Sequence, residues 1–151
     1  MNKTQINYFD GTQVEREIID KEIPFPEGKL IVSCTDTGGY ITHCNQAFVE
    51  ISGYQMSELV GKPHSILRHP DMPAAAFADL WDTINQPKKW RGYVKNLRKD
   101  GAFYWVYAVV VPNIRNGKIV GFASVRRKPS RTKINELADL YKSMLAEEKN
   151  A

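Results

Sequence analysis

The sequence predicts an α+β domain: a five-stranded antiparallel sheet with short helices on one face and one further helix at the C-terminus. Three observations predict it. Two short runs rich in Ile, Val, Thr and Tyr flank Gly38-Gly39. Three longer strand-like runs follow Pro87, divided by Asp100-Gly101 and Asn116-Gly117, two dipeptides that favour tight hairpins. Between these groups, apolar residues recur at helical spacing and are punctuated by Gly and Pro.

Taken in order, residues 1–29 read as an extended N-terminal lead-in, with Pro24, Pro26 and Gly28 close together. The stretch "LIVSCTDTGGYITHCN" supplies the first hairpin. Asn45 suits the N-cap of a short helix, "QAFVEIS", with Phe48 and Ile51 on one side and Gly53 ending it. A second short helix in "MSELV" stops at Gly61 and Pro63. From Pro73 a longer helix follows, because proline suits a first turn and Phe77, Leu80, Trp81 and Ile84 recur at i, i+3, i+4 and i+7. The last strands are "WRGYVKNLR", "AFYWVYAVVVPNI" and "KIVGFASVRR". Their register is open at Asp100-Gly101, since a two-residue turn and a bulged turn send opposite faces of "FYWVYAVVV" inward. Residues 130–148 form a terminal helix opened by Ser130, with an apolar stripe of Ile134, Leu137, Leu140, Tyr141 and Leu145. The domain proper is therefore 30–128, with 129–151 as the C-terminal helix.

A chain of 151 residues suits one core. The net charge of +4 is spread along the sequence except at Arg126, Arg127 and Lys128, which argues against nucleic acid. Cys34 and Cys44 lack C-x-x-C spacing, "MNKTQINYFDGTQVEREI" lacks the apolar run of a signal peptide, and no stretch approaches the roughly 20 apolar residues of a membrane span. A cytoplasmic chain without membrane insertion is the expectation.

No G-x-S-x-G motif is present, and His43, Cys44, His64 and His69 do not fall at zinc-ligand spacing, so neither an enzyme nor a metal centre is expected. The densest chemical cluster is "RHPDMPAAAFADLW". It has two readings. Asp71 helps cap the helix at Pro73 while Arg68 pairs with it on the surface, or Arg68, His69 and Asp71 clamp a ligand. The aromatics Phe77, Trp81, Trp90, Tyr104 and Trp105 have the size for a slot around a planar ring, and equally for an ordinary core.

The stretches "ITHCNQAFVEISGYQMSELVGKPHSILRHPDMPAAAFADLW" and "WRGYVKNLRKDGAFYWVYAVVVP" resemble the PAS domain of bacterial aerotaxis receptors and related chemoreceptors, over about Leu30 to Arg127. N-x-x-F-x-x-x-S-G-Y is common to many PAS domains, whereas "RHPDMP" with W-x-G-x-V-K-N is specific to the aerotaxis group. The resemblance implies a PAS fold holding FAD without a covalent bond and reporting redox or oxygen state. It makes Asn45, Arg68, His69, Asp71, Trp81 and Asn96 cofactor candidates, with Phe77 and Trp90 as pocket wall. Two positions depart from flavin-binding relatives. His64 stands where light-sensing PAS domains carry a reactive cysteine, which argues against cysteinyl-flavin photochemistry, and Ser124 stands where many carry glutamine. Aerotaxis receptors also continue into a membrane anchor and a signalling region. The sequence is therefore expected either to be free-standing, acting through a homodimer or a separate chemoreceptor or signalling partner, or to be a fragment, with the terminal helix as the output element unless it covers the sheet. The alternatives are a cofactor-free dimerisation or adaptor domain and, third, a haem sensor with one histidine as axial ligand.

Overall fold

Residues 2–7 and 13–150 are described in the computed structural model of the chain, with side chains for 15–149. Five strands, β3 (Ile31–Thr35), β4 (Ile41–Cys44), β5 (Trp90–Leu97), β6 (Phe103–Arg115) and β7 (Lys118–Arg127), form one antiparallel sheet in the order β4-β3-β7-β6-β5. The β3–β4 hairpin lies at one edge and the three-strand meander supplies the rest, so β7 pairs back onto β3.

Asn116 and Gly117 both take positive φ, 51° and 76°, between the paired residues Arg115 and Lys118. This is the two-residue turn the dipeptide favours. Asp100-Gly101 behaves differently. Arg98 N–H donates to the Ala102 carbonyl, three residues lie between them, and Gly101 takes φ 93°. The Asp100 carboxylate accepts from Ala102 N–H at 3.0 Å and holds the longer loop. The register is thereby decided: Tyr104, Val106, Ala108 and Val110 face the core, while Phe103 and Trp105 join a separate cluster on the other face.

The helical segment crosses the core face. α1 (Gln46–Ser52) begins at Asn45, whose side chain accepts from Phe48 N–H, and ends at Gly53 with φ 78°. α2 (Met56–Leu59) and a 3-10 turn (His64–Leu67) follow, then α3 (Ala74–Ile84). Asp71 does not cap α3. The carboxylate of Glu148, from the C-terminal helix α4 (Arg131–Asn150), accepts from Ala74 and Ala75 N–H, each at 3.0 Å. α4 lies on the opposite face of the sheet, where Ile134 and Tyr141 pack with Met72, Phe103 and Trp105. The Tyr141 and Trp105 rings stack at 6.2 Å, and the Tyr141 hydroxyl donates to the Tyr93 carbonyl at 2.8 Å. Ile134, Tyr141 and, in part, Leu137 of the terminal stripe are thus covered by the chain's own sheet, while Leu140 is exposed.

The lead-in is more structured than its composition suggests. β1 (Asn2–Asn7) and β2 (Gln13–Ile18) form a two-stranded antiparallel sheet. Beyond β2 the chain runs beside the start of β6, with Ile19 and Ile23 N–H donating to Gly101 and Phe103 carbonyls. A Cβ at position 101 would lie 2.3 Å from the Glu17 carbonyl oxygen, so glycine serves both the turn and this approach.

Candidate functional site

Between the inner face of the sheet and α3 lies a cavity of about 450 Å³. That volume falls within the roughly 300–1,000 Å³ of ligand pockets, which combine apolar walls with a few placed polar groups. α3 contributes Phe77, Leu80, Trp81 and Ile84, the face its periodicity identified. The strands contribute alternate residues, among them Asn96 from β5, Ser33 from β3, and Phe122, Ser124 and Arg126 from β7.

Five of the eight candidate residues line this cavity: Arg68, Phe77, Trp81, Trp90 and Asn96. The Arg68 guanidinium sits 4.6 Å from the Phe77 ring centroid, and its backbone forms an isolated bridge to Asn96. Trp81 meets Phe122 edge-on at 5.6 Å. Trp90 accounts for the W-x-G spacing. A Cβ at residue 92 would lie 2.4 Å from the Trp90 ring, so Gly92 lets the indole lie along the strand, and Trp90 Nε1–H donates to Asp79 on α3 at 2.8 Å. Asn96 is buried and hydrogen-bonds the Tyr104 hydroxyl, whose pKa burial pushes up to about 12.

Asn45, His69 and Asp71 do not line the cavity. Asn45 stitches β3 to α1: its Oδ1 accepts from Val32 and Phe48 N–H, and its Nδ2 donates to the Leu30 carbonyl. His69 turns its ring edge-on to Phe103, away from the cavity, and its Nδ1 accepts from Asp71 N–H at 3.0 Å. Burial, together with Lys95, pushes its pKa down to about 4 against the pull of Asp71. The Asp71 carboxylate accepts from Lys95 Nζ at 2.8 Å. Burial alone would raise Asp71, but the Lys95 hydrogen bond and charge bring it below the usual carboxylate range. These residues brace the loop that carries Arg68. The surface pairing of Arg68 with Asp71 is absent among the described contacts; Arg68 Nη2 points to the Met72 carbonyl at 3.4 Å.

One residue that composition alone undervalued stands in the cavity's lining. Arg126, noted from sequence only as one of three clustered cations, is 3% exposed. Its Nη2 donates to Ser33 Oγ at 2.9 Å and to His64 Nε2 at 2.7 Å, and its guanidinium lies 5.0 Å from the Phe48 ring centroid. Its Nη1, buried, has no hydrogen-bond partner among the described residues, and neither has Ser65 Oγ. Burial lowers the Arg126 pKa to about 10, which leaves it cationic at neutral pH. No Asp or Glu is among the described residues lining the cavity. The signal was present in β7: counting by twos from Phe122 puts Ser124 and Arg126 on the same face. The neighbouring Arg127 and Lys128 masked it.

A family model described as "PAS fold" matches residues 41–126. The chain is 45% identical over 129 residues to the aerotaxis receptor of Escherichia coli (strain K12), covering 85% of this chain and 26% of that receptor. It is 26% identical to the nitrogen fixation regulatory protein of Klebsiella pneumoniae, covering 67% of this chain and 21% of that protein. The chain thus spans about a quarter or less of these curated relatives' lengths. Among solved structures, the PAS domain of a protein from Colwellia psychrerythraea superposes with a TM-score of 0.61 at 24% identity, covering 68% of this chain and 87% of that one. A light-oxygen-voltage domain studied with a flavin analogue superposes with a TM-score of 0.63 at 22% identity, covering 81% and 88%.

Proposed function

Because the chain belongs to the PAS fold family, in its aerotaxis-receptor type, we propose that it is a redox-sensing module that holds FAD non-covalently and turns nothing over. The observation that carries this reading is the buried Arg126 guanidinium, with one nitrogen unpartnered among the described residues, in the lining of an aromatic-walled cavity. A buried cation with an unused donor is costly unless an electron-rich partner completes it. The residues present fit FAD. Trp81, Phe77 and Trp90 offer apolar surface to a planar ring, the Asn96 amide can donate and accept at a ring edge, and Arg68 offers a guanidinium to phosphate. Bound there, FAD would supply reversible electron uptake. His69, Asp71 and Asn45 would act on it only through the backbone they hold.

The same observation weighs against a cofactor-free adaptor, which has no use for a buried guanidinium beside a void. A haem sensor is disfavoured as well. Among the described residues His64 is the only histidine lining the cavity, and its Nε2 is taken by Arg126. The output of this reading is association with a chemoreceptor-type signalling partner or with a second copy, in the cytoplasm. Among the described residues no helix is long and apolar enough to cross a membrane.

The test is an absorption spectrum of gently purified protein, followed by heat or acid release and identification of the flavin. FAD should be released. Colourless protein that takes up no FAD when supplied with it would overturn the reading.

A further inference from the structure

We propose that His64 is a positioning residue: as the neutral Nδ1–H tautomer it holds the Arg126 guanidinium at the cavity wall while leaving its positive charge unneutralised for the cavity's occupant. Arginine only donates, so the 2.7 Å contact between Arg126 Nη2 and His64 Nε2 requires an unprotonated Nε2. The neutral ring then carries its proton on Nδ1. Ser33 Oγ accepts from the same Nη2 at 2.9 Å, so one guanidinium nitrogen is engaged from both β3 and the 3-10 turn. The other has no partner among the described residues.

The identity of the acceptor matters. A carboxylate in place of His64 would pair with both terminal nitrogens and neutralise the charge. A neutral imidazole fixes the same group while leaving its charge unneutralised. It meets Arg126 at its Nε2 end and the Phe48 ring of α1 edge-on at 6.0 Å. Burial and the adjacent Arg126 push the His64 pKa down to about 3, in keeping with an imidazole that stays neutral across the physiological range.

This inference rests on the flavin reading for the occupant, and its test separates the two. In the free protein, nitrogen-15 NMR of His64 should give protonated Nδ1 and unprotonated Nε2 from pH 5 to 8. A charged ring, or the other tautomer, overturns the positioning role without any use of FAD. FAD is then titrated into the wild type, His64→Gln, His64→Glu and His64→Leu by tryptophan fluorescence. Gln keeps a neutral acceptor and should stay within about threefold of wild type. Glu and Leu should each weaken binding at least tenfold, the Glu variant with an unchanged or higher melting temperature, which a purely structural role would not yield. A Glu variant that binds FAD as wild type does overturns the proposal, even if the Leu variant fails to fold. If no protein binds FAD while His64 holds the stated tautomer, the flavin reading fails and the orienting pair stands.

Discussion

At the scale of single residues, the two enclosed histidines set how the domain responds to acid. His64 is pushed down to about 3 by burial and Arg126, and His69 to about 4 by burial and Lys95, whereas an unfolded histidine titrates near 6.5. Between those values the unfolded chain binds protons that the folded chain refuses. Stability is therefore lost as pH falls from about 6.5 toward 4, at up to about 1.4 kcal/mol per pH unit for each histidine. Asp71 acts in the same direction, but only below its ordinary carboxylate range. Melting temperatures measured from pH 7.5 to 4.5 should fall steadily, and His69→Gln should remove about half of the slope. A flat profile would mean that the imidazoles are solvated. Residue identity alone conveyed less than this. "RHPDMP" was legible as a special segment, yet its Asp71 and His69 serve Lys95 and the loop while Arg68 serves the cavity. That division depends on which side of β5 the loop passes, a fact of packing rather than of local spacing.

At the scale of elements, glycine and turn chemistry decide what each strand presents. The Trp90 indole lies flat over Gly92 and reaches Asp79 across the cavity wall. Gly92→Ala places a methyl group 2.4 Å from that ring, so the indole must leave. A stability loss of about 1–3 kcal/mol is expected, as for overpacked cores, together with a changed tryptophan emission and weaker FAD uptake. Unaltered emission would remove Trp90 from the wall. The C-terminal helix makes the second case. Cutting after Pro129 uncovers Phe103 and Trp105 and leaves the first turn of α3 without Glu148. Burial of side chains such as Ile134 and Tyr141 is worth about 1.5–3 kcal/mol each, so the melting temperature should drop sharply and light scattering should report self-association through the exposed patch. FAD affinity should hold within about threefold, because α4 and the cavity lie on opposite faces. A truncated chain that stays monomeric with full stability would contradict the docking described here. Strand and helix periodicities predicted these elements well, as the paired register of Asn116-Gly117 illustrates. The Asp100-Gly101 loop escaped because a side-chain bond to Ala102 chooses between two turns that the dipeptide allows. The hairpin of β1 and β2 escaped because Gln13–Ile18 carries Glu15, Arg16 and Glu17, a charge density that reads as solvated coil.

At the scale of the whole molecule, the fold places two arginines in the lining of an apolar cavity and keeps acids out of that lining among the described residues. Arg126 lies on β7 and Arg68 beside β5, and among the described residues no Asp or Glu joins them in the lining. The nearest balancing carboxylates sit elsewhere: Glu148 at the first turn of α3 acts on Arg68 from outside, and Asp71 is engaged by Lys95. Such an arrangement favours an occupant that gains negative charge, because a fixed cation in a poorly hydrated site is screened far less than one at the surface. Electron uptake by the proposed flavin should therefore be easier here than in a neutral cavity. Arg126→Gln keeps a hydrogen-bond donor but removes the charge, so the midpoint potential should fall, by about 60 mV for each 1.4 kcal/mol in a one-electron step. Asn96→Asp should lower it too while the aspartate stays ionised, since it adds an acceptor-only anion to the same cavity; burial would raise that carboxyl's pKa and shrink the effect at low pH. Redox titration of the three flavin-loaded proteins at one pH decides the matter. A potential that stays level or rises in Arg126→Gln would mean that the guanidinium's charge is not felt by the cofactor, and the buried arginine would then be a packing element of β7 rather than the source of the site's electrostatic bias.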